Sequence, residues 1–79
     1  MNEKKFEYYY VVIDGHVGGL RTCYSEHKYE NYSKAFEMFK TLVGGYILIN
    51  NTNVTVSVVG SNDDNTDMMV LNWVRINNN

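Results

Sequence analysis

Hydrophobic positions along this chain follow three different rhythms. The segment Phe6-Glu7-Tyr8-Tyr9-Tyr10-Val11-Val12-Ile13 is apolar or aromatic at both even and odd positions. A strand with one wet face alternates apolar and polar residues, so this run predicts a strand covered on both sides, ending near Asp14. The last apolar run, from Met68 to Ile76, has the same character, broken only by Asn72 and Arg75. Between them Val54–Val59 alternates cleanly, with Val54, Val56 and Val58 predicted inward and Thr55 and Ser57 outward. Leu20–Glu26 mixes polar and apolar residues on both faces, which suits an outer strand.

One segment has helical period. Tyr32, Ala35, Phe36, Phe39, Leu42 and Val43 fall on one stripe at 100° per residue, with Ser33, Lys34, Glu37, Lys40 and Thr41 opposite. Asn31 or Ser33 can accept an orphan backbone N–H as N-cap. Gly44-Gly45 reads as the helix stop. Continuing past it would place Leu48 on the polar side, so Tyr46–Ile49 is expected to be a short strand followed by an Asn-rich turn. The remaining connections are Asp14-Gly15-His16-Val17-Gly18-Gly19, a glycine-rich hairpin loop, and the polar stretch 60–67. Asn77-Asn78-Asn79 is expected to fray.

The element order is therefore ββα followed by two or three strands. This predicts an α+β domain in which a single helix packs on one face of a four- to five-stranded, mainly antiparallel sheet. With the first and last strands apolar on both faces, they are the expected central pair, adjacent to each other. Chain ends meeting at mid-sheet beneath one helix resemble the β-grasp arrangement in outline; an antiparallel meander is the alternative. A helix of about twelve residues is roughly 18 Å long and covers one sheet face, not two. A second face carrying Tyr and Trp then needs an occupant, because large apolar patches and aromatic residues mark interfaces. The expected partner-binding residues are Tyr9, Val11 and Ile13 from the first strand and Met69, Leu71 and Trp73 from the last. Asp63, Asp64 and Asp67 in the acidic loop are expected to meet a basic partner surface.

Length and charge narrow the function classes. Seventy-nine residues make one domain, without a cleft between domains. Seven basic against nine acidic residues leave a net charge of −2, which supplies no general attraction to nucleic acid or membrane. The lone Cys23 excludes an internal disulfide framework. No apolar segment follows Met1-Asn2-Glu3-Lys4-Lys5 in the manner of a signal peptide, and no run is long enough to span a bilayer, so a cytoplasmic setting is expected. The composition lacks proline and is rich in Asn, Tyr, Lys and Ile, residues with AT-rich codons; this points to a low-GC bacterium or its phage, whose product would act in the host cytoplasm.

Catalytic and metal chemistry find little footing. His16 has no identifiable orienting partner. Cys23 and His27 lack the third group and oxyanion donors of a nucleophilic site. One Cys and two His stand at no zinc spacing. Asp63-x-Asn65-x-Asp67 resembles the opening of a calcium loop without its turn glycine, terminal Glu or flanking helices. The glycine loop is not followed by Gly-Lys-Ser/Thr and does not open a helix, so it does not read as a phosphate loop. No catalytic residue, cofactor or metal is therefore assigned. The expected function is non-enzymatic protein binding, either to a host protein or to a second copy as a homodimer. One form of it is a phage or mobile-element inhibitor that occludes a host defence protein, in the manner of anti-CRISPR proteins. The alternative is single-strand nucleic-acid binding by stacking on Tyr8, Tyr9 and Tyr10, which the shortage of basic residues disfavours.

Overall fold

The computed structural model describes residues 6–62 and 68–78. It has four strands and one helix: β1 (Tyr8–Val17), β2 (Leu20–Tyr29), α1 (Tyr32–Tyr46), β3 (Thr52–Ser61) and β4 (Met69–Asn78). All neighbouring strands are antiparallel, in the order β2-β1-β3-β4, with α1 across one face. The α+β class, the single helix and the antiparallel sheet are as the sequence predicts.

The strand order corrects the expected centre. β1 is central, but its inner neighbour is β3, and β4 lies at an edge. The first and last strands are thus not adjacent, and the β-grasp outline does not hold. β3 takes the centre because its outward residues, Thr55 and Ser57, are small enough to be covered on the helix-free face, and both are buried. Alternation of Val with Ser and Thr looked like one wet face; it encodes a strand enclosed on both.

Under α1, the odd positions of β1 meet the even positions of β3. Val11 pairs with Val58 and Ile13 with Val56, and Ile76 of β4 pairs with Val54. Ala35 and Phe39 of the helix close this cluster. An aromatic row continues it, with Phe6, Tyr9, Tyr32, Phe36 and Phe39 in successive ring contacts of 5.6–6.2 Å.

Two local predictions fail for identifiable reasons. Residues 14–17 belong to β1 rather than to a loop, and only Gly18 and Gly19 turn, with φ of 58° and 83°. Positive φ at both central positions is what a two-residue hairpin turn demands. Gly15 instead lies in the strand beneath the Tyr24 ring, where a β-carbon would overlap it. Likewise α1 runs through Gly44-Gly45 to Tyr46, and no strand forms at Tyr46–Ile49. The helix end is capped by the chain's own last strand. The Asn78 Nδ2 donates to the carbonyls of Ile47 and Ile49 at 2.6 and 3.2 Å, and Asn51 N–H donates to the Asn78 carbonyl at 2.6 Å. Asn77 and Asn78 are accordingly strand residues, not a frayed tail. At the helix start, Asn31 Oδ1 accepts from Lys34 N–H at 3.3 Å, the predicted cap.

Candidate functional site

The helix-free face holds the chemistry. Pairing sets its rows directly: Asp14, Thr55 and Arg75 align across β1, β3 and β4, and Ser57 aligns with Trp73. On the other side Arg21 aligns with His16 and Cys23 with Asp14. A bulge makes this alignment possible. Ile13 pairs with Ser25 and Asp14 with Cys23, so Tyr24 is an extra residue, and the polar residues of β2 come into step with those of β1.

These side chains surround a cavity of about 470 Å³ lined by His16, Arg21, Thr55, Ser57, Val70, Trp73 and Arg75. Its floor is the buried Thr55–Ser57 segment of β3. Its walls are tied together by polar bonds. Arg21 donates through Nε and Nη2 to Asp14 Oδ2, at 2.9 and 2.8 Å. His16 Nε2 and Thr55 Oγ1 lie 2.7 Å apart. Arg75 donates through Nε and Nη2 to Asn53 Oδ1, at 3.2 and 2.6 Å, and Asn53 Nδ2 donates to the His16 carbonyl at 3.3 Å. Among the described residues Arg75 meets no carboxylate. Partial burial, together with the Arg75 and Arg21 guanidiniums, lowers the His16 pKa below its ordinary value despite the opposing pull of Asp14. On the neighbouring row, burial and the charges of Asp14 and Glu26 raise the Cys23 thiol above its usual range, against the weaker opposing effect of a Ser25 backbone hydrogen bond. That arrangement opposes nucleophile formation. No group of three or more His, Cys, Asp or Glu side chains stands in metal-binding geometry among the described residues.

The second feature is the β4 edge. Met69, Val70 and Trp73, with Met68 just before the strand, are each about half exposed or more. Nothing among the described residues pairs with the outer side of this strand.

The predicted partner residues are split between the faces. Val11 and Ile13 are buried under α1, and Tyr9 packs in the aromatic row against Tyr32 and Phe6. Val11 and Ile13 are core rather than contact surface, and Tyr9 is half-buried against that core; the helix takes the odd face of β1 and leaves Tyr8, Tyr10 and Val12 opposite. Leu71 packs against the core while Trp73 stands on the helix-free face, because a second bulge beside Val58 and Val59 breaks the simple alternation of β4. Trp73 and Met69 remain accessible. Asp63, Asp64 and Asp67 lie outside the described residues. His16, Arg21, Thr55, Ser57 and Arg75 were not selected from sequence as a group. Alternation does place Thr55 with Ser57 and Asp14 with His16, but joining them needs the strand order and the bulges.

No family model matches the chain, and neither does any curated protein or solved structure. No helix among the described residues is long and apolar enough to cross a membrane.

Proposed function

We propose that this chain is a small non-enzymatic module that binds a protein partner by accepting an extended segment along β4. The observation that carries this reading is the union, on one edge, of exposed Met68, Met69, Val70 and Trp73 with a strand side that, over Met69–Ile76, pairs with no other strand among the described residues. Open strand edges template further pairing, and natural edges are usually shielded by charge, proline or brevity. β4 is ten residues long and carries a single charged side chain, Arg75. Strand addition supplies main-chain hydrogen bonds for affinity and places alternate partner side chains against β4 for selectivity.

The abundance of Asn and Tyr, residues whose codons are AT-rich, is the one support for a phage or mobile-element origin, in which setting such a module would act by occluding a host defence protein. Affinity capture from a low-GC bacterial lysate, followed by titration with the purified captured protein, tests the docking edge. The Met69→Lys/Val70→Lys variant is expected to lose the partner, while Lys40→Glu on the helix retains it. Equal retention by both variants would remove β4 from the interface.

A second reading, single-strand nucleic-acid binding, is supported by Tyr8, Tyr10 and Trp73 sharing the helix-free face with Arg21 and Arg75. Against it stand the negative net charge and the Lys28 ammonium, which already sits 3.8 Å from the Tyr8 ring centre. Binding to a single-stranded oligonucleotide that weakens steeply between low and moderate salt would favour this reading over the first.

A further inference from the structure

We propose that the cavity on the helix-free face binds a small ligand joining a flat ring to a phosphate monoester, as a nucleoside monophosphate does. The phosphate would lie among Arg75, Arg21 and His16, and the ring against Trp73. The site shares Val70 and Trp73 with the β4 edge, but the assignment does not rest on the protein partner proposed there.

The cavity has the size of small-molecule sites, which combine an apolar wall with a few convergent polar groups. Its apolar wall is Val70 and Trp73; Trp73 is 60% exposed although its backbone pairs with Ser57 of the central strand β3. An exposed indole face is a stacking platform for a planar ring.

The polar groups select the anion. Among the described residues two guanidiniums line the cavity, and the one carboxylate bonded to either, Asp14, already takes the Nε and Nη2 donors of Arg21. Among the described residues Arg75 donates to a neutral amide oxygen, which accepts from both Nε and Nη2 and leaves other N–H groups of the fork to donate elsewhere. Arg75 and Arg21 both act on His16, so their positive fields reach into the cavity. With the Ser57 hydroxyl on the floor beside the remaining N–H groups of Arg75 and Arg21, the donors outnumber the two oxygens of a carboxylate. A phosphate monoester offers three terminal oxygens and more charge, the better match for paired Arg side chains.

Trp73 is the sole tryptophan, so its fluorescence reports the site directly. Wild-type protein is titrated with adenosine 5′-monophosphate, adenosine and inorganic phosphate at fixed ionic strength. The expected result is saturable perturbation by adenosine 5′-monophosphate with a Kd of about 1 mM or tighter, and binding of the other two weaker by about tenfold or more. Arg75→Gln, a surface change that retains the wild-type thermal transition, is expected to weaken binding by about tenfold or more. Arg75→Lys, which keeps the charge but loses the fork, falls between them. Lys40→Gln on the helix leaves binding unchanged. Absence of saturable binding, equal affinity for adenosine, or equal losses in Arg75→Gln and Lys40→Gln would each overturn the assignment.

Discussion

A methyl group added at Gly60 would overlap the Phe6 ring, whereas one added at Gly44 meets nothing within 4 Å. Phe6 is buried against Tyr9, so its ring has little freedom to yield. Gly60→Ala is expected to destabilise the fold by about 1–3 kcal/mol through overpacking. Gly44 lies inside α1 without positive φ, and Gly44→Ala is expected to stabilise by about 0.5–1 kcal/mol by removing backbone freedom from the unfolded chain. Urea denaturation of the two variants reads both signs. His16 adds a pH dependence at the same scale. Its folded pKa lies below the unfolded value of 6.5, so the unfolded chain binds more protons in that window. The stability this residue contributes is complete above pH 6.5 and declines as pH falls through 6.5 toward the folded pKa. His16→Gln is expected to flatten the acid side of a stability–pH curve near pH 6; an unchanged slope would show that the imidazole titrates alike in both states.

At the scale of elements, the sequence disclosed types more readily than ends or neighbours. The helix stripe and the Asn31 cap were legible because each depends on residues within a few positions. The helix stop was not, because Gly44-Gly45 is a local signal overruled by Asn78, more than thirty residues away, donating to the carbonyls at the helix end. Asn78→Ala is expected to cost about 1 kcal/mol and to fray the last turn of α1, visible as faster amide exchange at 44–47. The reach of β1 was hidden in the same way. Asp14 and His16 resemble loop residues until Arg21 and Thr55, brought alongside by pairing, supply their bonds. The cavity residues became a group only through two bulges, which no single-strand alternation reveals. Trp73 is exposed, as expected of a contact residue, while Tyr9, Val11 and Ile13 lie on the helix side, because a strand apolar on both sides does not say which side the helix takes.

For the molecule as a whole, one helix can cover one side of a four-stranded sheet, and that limit leaves the other side and the β4 edge uncovered among the described residues. β1 and β3 absorb most of the core, so truncating the helix residue that closes it, Phe39→Ala, is expected to cost about 3–5 kcal/mol and to unfold much of the population of so small a domain. β4 contributes Ile76 to that core but presents Met69, Val70 and Trp73 outward. The docking proposed for β4 would separate stability from recognition on one strand, and on that proposal the Met69→Lys/Val70→Lys variant is expected to keep stability within about 0.5 kcal/mol of wild type while losing its partner. The most direct measurement is amide hydrogen exchange along the chain, free and in complex with the captured partner. Docking by strand addition predicts new protection concentrated in Met69–Asn78, with α1 unchanged. Protection appearing on α1 or β2 while β4 exchanges as in the free protein would contradict it.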